Sequence, residues 1–495
     1  MKPILFKANH HYLYSPNKNE FLLLNPLFYD VAKKKLKGLS DLDVQNELAE
    51  LESFPENNKS TYEYIQFYID KYYMLKNSGY FKDYKADKSF SGRSTAKDIE
   101  IAFSNTVLII FEVTDKCNLK CHYCAYGRLY SNYDPRENKN MSFATAKTFL
   151  DNFVKRRDSK LNKSFKKKTR INFYGGEPLL NIDFIKKIIQ YIEDNKLENL
   201  FDYGMTTNGT LLRKHIDYLV RKNFDIVISL DGDRVSDSLR PFKNGKLSYN
   251  IVYDNIIFIK NNYKAYFYKH IKYSTVYHSK SNIENLNGYF KTNFGASPMI
   301  SEINPNGIKP DMYERYCRLY KSLQSDLENI PENSSILKEL HTVNNYTDGL
   351  HKIFLSNSNC GPITRLLSKE LLPKVPSATC LPFNRSIYIS VNGKLFLCER
   401  IGHDNYLGNF SENMDLDFNE IAHKIKDKYD ILKSQCSKCY MVHFCPQCVM
   451  TLDTINGQIK CPSYRNAKTF STYITRTFIH FEKNPEIYSS FMLNA

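Results

Sequence analysis

Short apolar runs alternate with longer amphipathic stretches from Ile101 to about Pro305, and this alternation is the strongest regular pattern in the chain. Val107 to Thr114, Ile171 to Tyr174, Tyr203 to Thr207, Ile226 to Leu230, Ile271 to Tyr277 and Pro298 to Ile303 read as strands. Between them, helical spacing marks Ser142 to Arg157 (capped by Ser142), Ile182 to Asp194, Leu211 to Lys222, Leu247 to Asn262 and Asn282 to Phe290. In Ile182 to Asp194 the apolar face is Ile185, Ile188, Ile189 and Ile192. Strand–helix alternation predicts parallel strands in an α/β fold. Six such units over residues 91–305 predict a partial (β/α)6 barrel of the TIM type, whose functional loops follow the strand C-termini.

The pattern differs on either side. In residues 1–90, His11 to Tyr14 and Phe21 to Leu24 flank a polar loop and predict a hairpin. Asn25-Pro26 then opens a helix carrying Leu27, Phe28, Val31 and Leu36. Two more helices are predicted over Asp41 to Leu51 and Ser60 to Leu75, the last with Tyr64, Ile65, Tyr68, Ile69 and Tyr72 on one face. A hairpin with three helices is a winged-helix-like unit, and Lys82 to Lys97 reads as a linker. Residues 306–375 read as a helical bridge, 376–475 as a cysteine-rich domain and 476–495 as a helical tail.

Composition narrows the setting. No apolar run approaches the roughly 20 residues of a membrane span, and the N-terminus has no signal-peptide pattern, so a cytoplasmic protein without a membrane partner is expected. Twelve cysteines in that compartment point to metal ligation rather than disulfides. A formal charge of +16 favours an acidic partner, either nucleic acid or an acidic peptide. The basic run Lys155 to Arg170 enters a strand from its N-terminal side, away from the functional loops, and reads as a solvated loop. No nucleic-acid partner is expected. The excess of Tyr and Phe over Trp reads as genome bias.

Chemistry concentrates at the strand ends. Cys117, Cys121 and Cys124 follow the first strand as C-x3-C-x2-C. Three thiolates are one short of a closed zinc site and fit a cubane iron–sulfur cluster with one iron open. Gly175-Gly176-Glu177-Pro178 follows the second strand, two glycines permitting close approach and one carboxylate suited to an ammonium group. Thr206, Thr207 and Asn208 end the third strand, and Ser229 to Gly232, with Asp231, the fourth. These suit ribose hydroxyls and a carboxylate, and each alone is also routine turn chemistry. Later come Cys380, Cys398, Cys436, Cys439, Cys445, Cys448 and Cys461. Residues 436–448 alone could be a zinc ribbon, but seven cysteines exceed one tetrahedral ion.

C-x3-C-x2-C followed by G-G-E-P resembles the radical S-adenosylmethionine (radical SAM) superfamily, and the seven later cysteines resemble its SPASM extension. That resemblance implies a [4Fe–4S] cluster on Cys117, Cys121 and Cys124 whose open iron is chelated by S-adenosylmethionine. It places Gly175, Gly176, Glu177 and Pro178 at the methionyl amine, Arg240 at the carboxylate, Tyr123 against the adenine, and Thr206, Asn208, Ser229 and Asp231 around the ribose. It implies two auxiliary [4Fe–4S] clusters, the outer on Cys436, Cys439, Cys445 and Cys461, the inner on Cys380, Cys398 and Cys448 with Cys360 as candidate fourth ligand. The last cysteine pair is spaced x2 rather than the family's x3. Cys317 is expected to pack as a small buried hydrophobe, and His403 and His443 to be surface histidines. Glu399, directly after Cys398, stands where sulfatase-maturing relatives place a proton-accepting Asp; pairing with an Arg is its other reading.

The winged-helix-like unit resembles the leader-recognition element of ribosomal-peptide maturases, which capture a leader strand by β-augmentation. The implied function is a radical SAM peptide maturase. It abstracts hydrogen from a precursor peptide through a 5′-deoxyadenosyl radical and installs a C–C or C–S cross-link, with flavodoxin or ferredoxin as electron donor. Three alternatives stay open: a formylglycine-forming sulfatase maturase, a peptide epimerase and an iron–sulfur DNA-binding regulator. The regulator leaves G-G-E-P, T-N-G and S-L-D-G unexplained.

Overall fold

The computed structural model describes residues 1–50, 59–85, 94–164, 167–328, 379–410, 416–443, 445, 447–455, 458–459, 461–483 and 485. Cys360 and the bridge beyond residue 328 lie outside the described residues.

The six strands predicted from alternation lie side by side in a nine-stranded sheet. β4 (Leu108–Thr114), β5 (Thr169–Gly175), β6 (Phe201–Thr207), β7 (Asp225–Ser229), β8 (Ile271–Tyr277) and β9 (Met299–Glu302) follow each other in parallel. Helices α5 (Phe143–Arg157), α6 (Ile182–Asp194), α7 (Leu212–Arg221), α8 (Tyr249–Asn262) and α10 (Ile283–Phe294) lie between them, with α4 (Ala96–Ser104) ahead of β4 and a short α9 (Lys264–His270) before β8. Ile185, Ile188, Ile189 and Ile192 are buried as the spacing requires. Ser142 occupies the N-cap of α5, but its side chain makes no capping bond. The expected linker Lys82 to Lys97 stops short, because Thr95 and Asp98 form a capping box that starts α4 at Ala96.

The sheet does not end with the barrel. β10 (Ile387–Ile389) pairs parallel with β4, placing Ile387 beside Ile109 and Ile389 beside Phe111. β11 (Lys394–Phe396) and β12 (Gly408–Asn409) add antiparallel. The cysteine-rich region is therefore welded to the barrel by backbone hydrogen bonds and a shared apolar core. Two helices complete it: α13 (Phe418–Cys436) before the small hairpin of β13 (Thr454–Ile455) and β14 (Gln458–Ile459), and α14 (Ala467–Lys483) after it.

The N-terminal unit has three strands, not a simple hairpin. β1 (Ile4–Lys7) pairs with β2 (His11–Ser15), which pairs with β3 (Glu20–Leu24). Helices α1 (Pro26–Leu36), α2 (Asp41–Ala49) and α3 (Lys59–Asn77) cover one face. Of the aromatic positions expected on one face of α3, Tyr68 and Tyr72 are buried while Tyr64 is exposed. The other face of the sheet packs on α14 and on the loop after Cys439: Ile4, Phe6 and Tyr14 meet Tyr440, Met441, Phe470 and Ile474. Burying Ile4 and Phe6 contributes roughly 1.5–3 kcal/mol each. The Tyr440 hydroxyl bonds both to Lys2 N–H (2.9 Å) and Lys2 O (3.1 Å). His443 Nε2 reaches Pro16 O at 3.1 Å. The tail helix is thus the seat of the N-terminal unit, and His443 is buried rather than a surface histidine.

Two more expectations are corrected here. Cys317, on α11 (Tyr313–Leu319), is exposed, because the buried residue of that helix is Tyr316. Within the basic run, Arg157 is buried. Its guanidinium donates to Thr169 Oγ1 (2.7 Å) and to Lys167 O, which pins the entry to β5.

Candidate active site

The cysteine loop leaves β4 at Thr114 and is held by neighbouring loops. Lys120 N–H donates to Pro241 O at 2.8 Å and His122 N–H to Leu239 O at 2.9 Å, so Cys117–Cys124 lies along the segment carrying Arg240. Burial pushes the Cys121 thiol up to about 12, with Arg240 opposing and Cys124, Cys117 and Asp231 adding to it. Cys117 is also raised, chiefly by burial. Such thiols are poorly ionised alone and become ligands when a metal takes the proton's place. The donors around them fit sulfur ligands: Leu119 N–H and Arg136 Nη2 each stand 3.4 Å from a sulfur, of Cys117 and Cys124 respectively. Asn208 Nδ2 stands 3.8 Å from Cys117 Sγ. The donor set and its surroundings could hold an iron–sulfur cluster.

The two glycines serve the chain itself. A Cβ on Gly175 (φ +144°) would stand 2.2 Å from Thr114 O, and one on Gly176 2.1 Å from Lys116 O. The cysteine-loop backbone lies against them, and Gly176 N–H and Glu177 N–H donate to those same two carbonyls at 2.8 Å. Gly176→Ala is expected to displace the loop before Cys117 and cost about 1–3 kcal/mol. The check is a lowered melting temperature together with reduced iron after anaerobic reconstitution.

Glu177 is fully buried, and its oxygens accept from Thr207 Oγ1 (2.7 Å), Asn208 N–H (2.7 Å) and Leu179 N–H (3.1 Å). Its carboxylate ties β5 to β6. Pro178 follows it into a short 3-10 turn, Pro178–Asn181. Asn208 bridges to Asn118 Oδ1 at 2.8 Å, while Thr206 lies half-buried on the opposite side of β6 from Thr207. Ser229 ends β7, half-buried.

A second knot lies beyond β7. Tyr123 donates to Asp231 and accepts from Arg240 Nη1 at 3.0 Å. Arg240 Nε stands 3.3 Å from Asp237 Oδ1, and Asp231 Oδ1 accepts from Val276 N–H at 3.0 Å. Burial disfavours the Arg240 charge, but Tyr123, Cys121, Asp231 and Asp237 more than offset it. His278, just after β8, completes the knot: it is fully buried, stacks on Tyr123 at 5.8 Å and brings Nε2 within 3.6 Å of Asp231 Oδ2. Lys280 N–H donates to its Nδ1, so Nε2 carries the proton. His278 escapes a motif search because its neighbours match no pattern. The signal was its position at a strand C-terminus.

The sequence profile of the radical SAM superfamily matches residues 111–287, from the middle of β4 to α10. An uncharacterized protein of Methanocaldococcus jannaschii is 30% identical over 287 residues, 55% of this chain and 93% of that protein. The chain belongs to the radical SAM superfamily. The radical SAM cyclopropyl synthase TigE of Paramaledivibacter caminithermalis is 30% identical over 165 residues. That match spans 31% of this chain and about a third (33%) of TigE. Among solved structures, anSMEcpe with bound AdoMet and Cp18Cys peptide aligns with a TM-score of 0.53 at 18% identity, covering 78% of this chain and 99% of that one, a likeness of fold. Radical SAM domains bind S-adenosylmethionine and a [4Fe–4S] cluster.

The later cysteines of this radical SAM enzyme gather in two sets. Cys436 is pushed up to about 12 by burial and by the Cys445, Cys439 and Cys461 sulfurs around it. Cys398 is pushed up to about 12 by burial, with Glu399 and Cys448 adding to it, and Cys448 in turn faces Cys380. Among the described residues, no three His, Cys, Asp or Glu side chains are placed to hold a single metal ion. Glu399 is part-exposed and its nearest cation is Arg400, 3.8 Å away. Tyr133 and Tyr174 lie between the first loop and this region, since Cys124 and Glu399 both act on each of them. His403 is buried there against Asp134 (3.2 Å), its N–H donating to Asn132 O, so it is a packing residue of the seam rather than a surface one.

Proposed function

We propose that this protein is a peptide maturase that cross-links a ribosomal precursor peptide. The observation that carries the reading is the contact between the cysteine-rich region and the stretch after the first loop. Tyr133, nine residues after Cys124, donates to Arg400 O at 3.3 Å, two residues after Cys398. Cys117, Cys121 and Cys124 would hold the radical SAM cluster; Cys380, Cys398 and Cys448 would hold an inner auxiliary cluster, with Cys360 as its candidate fourth ligand, and Cys436, Cys439, Cys445 and Cys461 an outer one. When bound, the first cluster and S-adenosylmethionine supply a hydrogen-abstracting carbon radical. Tyr123, Asp231 and Arg240 orient the cofactor, with the ribose near Thr206, Asn208 and Ser229 and the methionyl end near Gly175 to Pro178. Glu399 takes the proton released as the substrate closes its new C–C or C–S bond. In all, one hydrogen atom, one proton and one electron leave the substrate, and an auxiliary cluster, when bound, would be the acceptor for that electron. TigE, a cyclopropyl synthase, supports bond formation. The +16 charge suits an acidic flavodoxin or ferredoxin as donor.

The unpaired outer edge of β3, among the described residues, suits capture of a leader strand. Deleting residues 1–90 should abolish leader binding in a fluorescence titration while cofactor cleavage without peptide continues. It should also lower the melting temperature, because Phe470, Ile474 and Met441 lose their cover. Anaerobic reconstitution should give about twelve irons per chain; about four would remove both auxiliary clusters.

The deciding experiment incubates reconstituted enzyme, reductant and S-adenosylmethionine with the small peptide encoded beside the gene. A cross-linker removes two hydrogens and yields a linked fragment on tandem mass spectrometry. Formylglycine at a Cys or Ser overturns this reading in favour of the sulfatase-type maturase, and an unchanged mass with inverted chirality favours the epimerase.

A further inference from the structure

Arg136 belongs to no motif, yet its guanidinium reaches the sulfurs of the first cysteine loop. Its Nη2 stands 3.4 Å from Cys124 Sγ, and the Cys117 sulfur also lies within its reach. Its Nε–H is buried and has no partner among the described residues. A guanidinium has five donors in one plane and is rarely left with a dry one unsatisfied. Its Cζ lies over the Tyr126 ring, 4.9 Å from the centroid. Tyr126 is fixed in turn: its hydroxyl donates to Glu112 Oε1 at 2.6 Å and meets Tyr388 Oη at 2.9 Å. Glu112 Oε2 accepts from Val391 N–H at 2.8 Å, in the turn of the hairpin that leads to Cys398. Arg136 is thus aimed at the first cysteine set by a buried chain of contacts anchored in the cysteine-rich region.

We propose that Arg136 is a positioning residue for the radical SAM cluster, donating hydrogen bonds to its sulfurs and holding its reduction potential up. Reduction adds negative charge to a buried, already anionic group. A fixed cation and N–H donors at the sulfurs stabilise that charge. The orphan Nε–H is the donor left over for a cluster sulfur that the thiols alone do not supply. Arg suits this place better than Lys, because a guanidinium can contact the Tyr126 ring and offer several N–H donors to the sulfurs at once. The inference does not depend on the substrate being a peptide.

The test is a redox titration of the reconstituted holoenzyme followed by electron paramagnetic resonance, without peptide. To isolate one signal it uses the background in which Cys398 and Cys439 are Ser. Arg136→Gln, at unchanged iron content, is expected to shift the first cluster to a more negative potential, and Arg136→Lys to shift it less. An unchanged potential in Arg136→Gln overturns the proposal, as does an equal shift in the two variants. Should Arg136→Gln fail to hold iron, Tyr126→Leu keeps the guanidinium and removes its support. A smaller negative shift is expected there, and an unchanged potential overturns the proposal. If the first cluster itself is absent, no signal appears in the Cys398→Ser, Cys439→Ser parent, which separates that failure from this one.

Discussion

Cys121→Ala should abolish 5′-deoxyadenosine formation, leaving nothing above the no-enzyme background. Burial dominates the surroundings of Cys121, the middle thiol of the first loop. Arg240 and Asp231 act on it, and the adjoining His122 N–H is pinned to Leu239 O. A two-thiolate loop does not retain a cubane that already lacks a fourth protein ligand. The measurement is 5′-deoxyadenosine by liquid chromatography under dithionite, with iron counted on the same sample. Iron should drop by about a third, from about twelve to about eight per chain, if both auxiliary sets are filled. Cys317→Ala is the matched control: its exposed thiol on α11 touches none of the three sets, so cleavage should be unaffected. Continued cleavage in Cys121→Ala would sink the central assignment.

The parallel sheet was legible because its signal is one of period. Six apolar runs alternating with amphipathic helices leave little choice of topology, and all six strands stand where that alternation puts them. β1 was missed because Ile4–Lys7 is four residues without a turn signal, and its apolar positions matter only once α14 arrives from the far end of the chain. The extension of the barrel sheet by β10 is illegible for the same reason: a pairing across nearly 280 residues leaves no local trace. Within the site, residue types at strand ends were visible, but their partners were not. Tyr123, Asp231 and Arg240 do meet. His278 and Arg136 join their groups from positions with no spacing rule, and the burial of His403 and His443 comes from segments distant in sequence. Burial of a polar residue is a tertiary property, and only a metal-ligand spacing or a cap announces it beforehand.

Glu177 is where that distinction has the largest measurable consequence. Read from the sequence, its carboxylate is available to an ammonium group; in the fold, three donors of the chain already occupy it. Removing it leaves the Thr207 hydroxyl and the Asn208 and Leu179 N–H groups buried without acceptors, at about 1–3 kcal/mol each before any water enters. Glu177→Ala should therefore lose on the order of 3 kcal/mol of stability, a fall of about 10 °C in melting temperature for a domain of this size. Glu177→Gln keeps one carbonyl acceptor but turns an amide toward the remaining donor, and should fall in between. Cofactor binding should weaken in step with stability, because the same carboxylate sets the strand end where Asn208 approaches Cys117. A residue that only bound the cofactor's amine would behave differently: Glu177→Ala would melt like the parent and lose affinity for S-adenosylmethionine alone. Differential scanning fluorimetry and equilibrium cofactor binding on the same preparations separate the two. A parent-like melting temperature with lost binding would return Glu177 to the role its motif implies.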